Sequence, residues 1–327
     1  MSLLEPRIFY KPFQYPWSYT AWEIQQRLHW LPEEVPMADD VQDWTKNLNK
    51  NEKNLLTQIF RFFTQADVEV HNCYMKNYAG VFKPPEICMM LSAFSNIETI
   101  HIAAYSYLLD TIGMPEVEYQ AFTQYQEMKD KYDYLQQFNV DSKDDIARTL
   151  AVFGAFTEGL QLFASFAILL NFPRFNKMKG MGQIIAWSVR DETLHTHSII
   201  RLFRTFVKEN DLWHKQLQDD LYDACREIVK HEDAFIDLAF EFGAVEGLSA
   251  DEVKNYIRYI ANRRLLQLGL NAIYGVEENP LPWIDEMLNG VEYTNFFENR
   301  VTEYTRSATE GTWDEAFNMG NIESDDS

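Results

Sequence analysis

Glu98-Thr-Ile-His101 and Glu192-Thr-Leu-His195 decide the fold of this chain: in each, and nowhere else, a glutamate stands three residues ahead of a histidine. On an α-helix that spacing sets both side chains on one face, about one turn apart, where they can share a cation. Two more acids lie upstream of these pairs, each inside an apolar helical stretch. Asp67 ends Ile-Phe-Arg-Phe-Phe-Thr-Gln-Ala-Asp, and Glu158 sits in Val-Phe-Gly-Ala-Phe-Thr-Glu-Gly-Leu. Taken singly, such residues read as salt-bridged acids and hydrogen-bonded core histidines. Taken jointly, they would need more Lys or Arg than such a core supplies, because an unpaired buried carboxylate is costly. Four helices, each turning a carboxylate inward, form the core of a di-metal bundle.

The residues around these positions are punctuated like helices. Five of the eleven prolines precede Ala38 and the rest stand at 84, 85, 115, 173, 280 and 282, leaving long proline-free tracts. The pattern predicts short helices over 21–28 and 39–48, and a long one capped by Asn51 or Asn54 and running to Tyr78. The next spans Pro85 to Gly113, with proline in its first turn and glycine at its end. Further helices are expected over 144–170, 178–208, 215–242 and 251–268, with breaks at Asn171-Phe-Pro173 and at 243–249. Strand-like alternation is nearly absent, so the expected class is all-α.

The chain has 327 residues, 46% of them hydrophobic, enough for a large core. No linker or repeat divides it. A net charge of -21 argues against nucleic acid or an anionic membrane as partner, since phosphate binding needs clustered Lys and Arg. After Arg306 only acids remain among the charged residues, which predicts a flexible tail. Cys73, Cys88 and Cys225 form neither a disulfide framework nor a thiolate metal site, and residues 1–19 contain no apolar signal region. The expected compartment is the reducing cytoplasm. The stretch 150–172 is long and apolar enough to span a membrane, but Glu158 and Gln161 near its middle favour a buried helix whose carboxylate meets a cation.

Four carboxylates and two imidazoles suit iron or manganese at two adjacent positions better than zinc or copper. The set does not choose between iron, manganese and a mixed pair; iron is the first expectation. Tyr105 follows His101 by four residues on the same helix face, where its phenol would lie close to the metals. The spacing is equally compatible with a packed core tyrosine.

Over nearly its whole length the chain resembles the small, radical-generating subunit of class I ribonucleotide reductase. Family members carry an Asp, then Glu-x-x-His-x-x-x-Tyr, a lone Glu, and Arg-Asp-Glu-x-x-His; here these are Asp67, Glu98 with His101 and Tyr105, Glu158, and Arg190-Asp191-Glu192 with His195. The resemblance implies a ferritin-like helical bundle over residues 1–295 that forms a homodimer, and an acidic tail over 296–327 that docks on the catalytic large subunit. It implies that Asp67, Glu98 and His101 mainly serve one metal, and Glu158, Glu192 and His195 the other, with some glutamates bridging. It further implies a stable radical on Tyr105. Trp30, in His-Trp-Leu-Pro-Glu-Glu-Val, is similar to the family's electron-transfer tryptophan, and Asp191 to the carboxylate joining it to a ligand histidine, His101. Tyr304 is similar to the redox tyrosine of the tail, although Tyr293 lies nearby. A flavoprotein activator is a further candidate partner.

Two positions depart from the family pattern. Leu162 stands where many relatives have Phe, which would widen oxygen access, and Ser188 occupies a commonly aliphatic position, which would alter polarity around the second metal. A stand-alone di-iron oxidase or monooxygenase shares the bundle, as does an iron-storage protein. Neither has a use for Trp30, Tyr304 or a docking tail.

Overall fold

A computed structural model of the chain describes residues 2–288. Among these residues there is no β-strand; an isolated antiparallel bridge pairs Val245 with Leu248. The main helices are α1 (Pro16–Arg27), α2 (Lys50–Asn72), α3 (Pro85–Ile112), α4 (Gln126–Leu135), α5 (Lys143–Leu150), α6 (Leu162–Arg174), α7 (Lys179–Asn210), α8 (Lys215–Ala239) and α9 (Ala250–Leu268). One hydrophobic core takes in residues from Leu3 to Leu288.

Local chemistry explains most of the boundaries. The cap of α2 is Asn49, not Asn51 or Asn54 as the sequence suggests. Its carboxamide accepts from the Glu52 amide, and Glu52 returns the bond to the Asn49 amide. Proline at the first turn of α3 and left-handed Gly113 at its end stand where expected. Pro173 does not end its helix as predicted. It lies inside α6, which runs one residue further to Arg174.

Between α5 and α6 the chain winds as a π-helix over Ala151–Gln161, a wider register that sequence spacing does not reveal. Thr157 donates its hydroxyl hydrogen to the Val152 carbonyl, five residues back. Close neighbours hold this segment in place. A Cβ on Gly154 would lie 2.3 Å from Ile199 Cγ2, and one on Gly159 would lie 2.6 Å from Arg264 Nε. Arg264 also donates from Nε to the Gly159 carbonyl at 2.6 Å. A second π segment, Cys73–Tyr78, continues α2.

The stretch 150–172 is buried throughout, Glu158 included. Two segments, Pro85–Ile112 and Lys143–Arg174, are long and apolar enough to cross a membrane; their most apolar windows are 61% and 100% buried inside the fold. The N-terminal arm sets α7 in place. Asp40 accepts from the Gly180 and Met181 amides and Asp43 from that of Met178, so carboxylates satisfy the orphan donors of that helix start.

Candidate metal centre

The six acids and histidines singled out in the sequence come together at the centre of the bundle, and all six are buried. α2 supplies Asp67, α3 supplies Glu98 and His101, the π segment supplies Glu158, and α7 supplies Glu192 and His195. They form two overlapping sets: Asp67, Glu98, His101 and Glu192 in one, Glu98, Glu158, Glu192 and His195 in the other. Within each set the candidate ligand atoms lie within 4.8 Å of one another. Glu98 and Glu192 belong to both. His195 Nδ1 lies 3.0 Å from Glu98 and 3.5 Å from Glu158, and His101 Nδ1 lies 3.2 Å from Glu192.

Several of the inward atoms have no hydrogen-bond partner: Asp67 Oδ2, both oxygens of Glu98 and of Glu192, and Nδ1 of both histidines. Buried polar atoms left in this state are costly, and two divalent cations would satisfy them together. The electrostatics agree. Burial, reinforced by Glu98, pushes the Asp67 carboxyl well up, and burial raises Glu158 to about 8. Burial alone would lower the two imidazoles, but the negative charge of the surrounding carboxylates outweighs it and raises both. Without a cation the cluster holds protons to compensate its acids; bound metal ions would take their place. The donor set, the unpartnered atoms and the burial therefore fit a pair of metals.

The outer nitrogens of the histidines are held by residues 90 and 170 positions away. His101 Nε2 faces Asp191 Oδ2 at 3.3 Å, and the indole N–H of Trp30 donates to the same oxygen at 2.8 Å. On the other side His195 Nε2 donates to Gln25 Oε1 at 3.1 Å, and the Gln25 amide donates to Asp191 Oδ1 at 3.3 Å. Because the Gln25 oxygen can only accept, Nε2 of His195 carries a hydrogen, and Nδ1 is the nitrogen left to face a metal. Burial opposes charge on Asp191, yet His101, Arg190 and Trp30 hold its carboxyl below the usual range. Gln25 and Trp187, whose ring centroid lies 5.1 Å from that of Trp30, were not found by sequence reasoning. Neither belongs to a ligand-spaced motif, and only the packing of α1 against α7 brings Gln25 to its place.

Tyr105 is buried. It lies 4.6 Å from Phe63 between ring centroids and 6.4 Å from His101. Phe63 in turn packs on Phe166 at 5.5 Å. The phenol donates to Ser188 Oγ at 2.7 Å, so Ser188 acts on Tyr105 directly. Leu162 is buried at the start of α6. Tyr304, Tyr293 and the tail 296–327 lie outside the described residues, as does the end of the expected 1–295 bundle.

Comparison with known proteins agrees with this geometry. The family model described as "Ribonucleotide reductase, small chain" matches residues 7–280. The chain belongs to the ribonucleotide reductase small-chain family. A probable ribonucleoside-diphosphate reductase small subunit of Invertebrate iridescent virus 6 is 45% identical, over 97% of this chain and 99% of the viral one. The ribonucleotide reductase R2 subunit of Clostridium botulinum superposes with a TM-score of 0.79 at 21% identity, covering 88% of this chain and 99% of its own. The dimanganese(II)-NrdF of Streptococcus sanguinis gives 0.70 at 18% identity, covering 84% and 96%. The reductase small-chain fold is the ferritin-like bundle expected, its centre is a dinuclear metal site, and the enzyme it serves is a ribonucleoside-diphosphate reductase.

Proposed function

We propose that this small chain generates and stores an oxidising equivalent on Tyr105, and passes it to a catalytic large subunit for reduction of ribonucleotides. The observation that carries this reading is the continuous buried line from Trp30 through Asp191 and His101 to the two nested ligand sets, with Tyr105 one helical turn beyond His101. Asp67, Glu98 and His101 would hold one metal, Glu158, Glu192 and His195 the other, and Glu98 and Glu192 would bridge. The metal pair, once bound and oxidised, supplies the one-electron oxidant.

The protein's own residues do the rest. Phe63 and Phe166 keep water and reductants from Tyr105, the condition for a lasting radical. Asp191 fixes the His101 ring and joins it to the Trp30 indole, giving electron and proton a common path. From Trp30 the equivalent would continue to Tyr304. The tail 296–327, rich in acids, would dock on the large subunit and order on contact. The bundle would form a homodimer in the cytoplasm.

Iron is the first expectation for the metal; the dimanganese neighbour keeps manganese in view, and a flavoprotein activator stays a candidate partner. The test is to load metal-free protein anaerobically with iron(II), admit oxygen, and record electron paramagnetic resonance with metal quantification. A stable tyrosyl signal lost in Tyr105→Phe supports the reading. Two bound irons without a radical would overturn the iron-dependent form of it.

A further inference from the structure

Among the described residues, Tyr74 is the tyrosine whose hydroxyl donates straight to one of the six candidate ligands: its phenol bonds Glu158 Oε1 at 2.8 Å. Its ring is buried, 6.3 Å from that of His195 and 6.3 Å from that of Phe94. Tyr74 and Glu158 both stand on π segments, which this side-chain bond joins. The widened register thus brings a phenol and a ligand carboxylate into contact deep in the core.

A phenol gives up an electron more readily when its proton leaves with it, so a basic acceptor within hydrogen-bond reach favours oxidation of a tyrosine. Tyr105 donates to a serine hydroxyl, a poor base. Tyr74 donates to a carboxylate. Beyond it Tyr78 packs edge-on at 5.6 Å, and the Tyr78 hydroxyl bonds the Thr149 carbonyl at 3.2 Å. A pair of buried tyrosines therefore leads away from the Glu158 side of the centre, opposite in role to the line toward Trp30.

We propose that Tyr74 is a second oxidisable tyrosine of this centre, giving one electron to the oxidised metal pair and its phenolic proton to Glu158. The O–H bond of Tyr74 breaks and one forms on Glu158 Oε1. The electron would go to the bound, oxidised metal pair, and a neutral phenoxyl radical would remain on Tyr74. This rests on the proposed function, which supplies the oxidant. It gives the oxidising equivalent an outlet when Tyr105 is unavailable.

The test uses the full chain, loaded with metal and activated under whichever conditions give the wild-type signal. Rapid-freeze-quench paramagnetic resonance is recorded for wild type, Tyr105→Phe, Tyr74→Phe and the double variant, with metal content measured in each. The expected result is a transient tyrosyl signal in Tyr105→Phe that is lost in the double variant. In case Tyr74→Phe disturbs Glu158 and metal uptake, 3,5-difluorotyrosine at position 74 in the Tyr105→Phe chain keeps the hydroxyl and should add fluorine splitting to that signal. A radical in wild type with no tyrosyl signal in metal-loaded Tyr105→Phe overturns this inference and leaves the proposed function standing. A signal without fluorine splitting overturns it too, and absence of any radical from metal-loaded wild type overturns both.

Discussion

Tyr105 and Ser188 meet between α3 and α7, where the phenol donates to the serine hydroxyl at 2.7 Å and that hydroxyl donates on to the Ile184 carbonyl at 3.0 Å. A serine can reverse this role, since its hydroxyl rotates. It accepts from the reduced phenol and can donate to an oxidised one. Ser188→Ala should remove the partner of a buried hydroxyl, costing about 1–3 kcal/mol. With a radical on Tyr105, it should also abolish the exchangeable deuteron coupling seen by electron-nuclear double resonance in D2O. Ser188→Thr should retain it. An unchanged coupling in Ser188→Ala would remove Ser188 from the radical site.

Trp30→Phe deletes the indole N–H that Asp191 Oδ2 accepts at 2.8 Å and leaves the inward ligand set untouched. The variant should form the radical but lose turnover with the large subunit. Full activity in a reconstituted assay would take Trp30 off the path.

Asp191→Ala releases the outer nitrogen of His101 and the Gln25 amide together. Loss of such an orienting partner lowers metal affinity by about 10–100-fold. Competition against a fluorescent chelator reads this directly, and affinity equal to wild type would show that the ring is held by packing alone.

Metal uptake should depend on pH with a definite sign. Asp67, Glu158 and both histidines have raised pKa values in the metal-free cluster, Glu158 near 8. They hold protons below those values, and a cation must displace them. Apparent affinity should therefore climb as pH rises through about 8 and fall below it. Proton release on metal addition, followed with an indicator dye in weak buffer, checks the prediction.

Gly159→Ala places a methyl where Arg264 Nε and Thr196 Cγ2 already stand at 2.6 and 2.8 Å. Overpacking of this kind costs about 1–3 kcal/mol. The thermal midpoint should fall, and because the residue neighbours Glu158, metal content should fall with it. Unaltered melting and metal content would mean that the π segment can shift without consequence.

Much of the bundle was legible because helical signals are local. Pro85 and Gly113 mark the ends of α3 by fixing backbone angles within a turn, and Glu98 with His101 share a face through helical pitch. The cap of α2 lies two residues before Asn51 and five before Asn54 because several asparagines compete there, and the reciprocal bond with Glu52 selects Asn49. The π segment left no periodic trace. Its register follows from Ile199 and Arg264 pressing on Gly154 and Gly159, contacts that cross the fold.

The helical class and the candidate ligand types were legible before folding, since residue chemistry and a three-residue spacing are properties of the chain alone. Which atoms face each other is set by packing. It placed Gln25 between Asp191 and His195, turned Tyr105 to Ser188, and set Tyr74 on Glu158. The physical reason is range: helix pitch acts over a few residues, whereas these bonds join side chains 83 to 170 positions apart and exist only once the helices have packed.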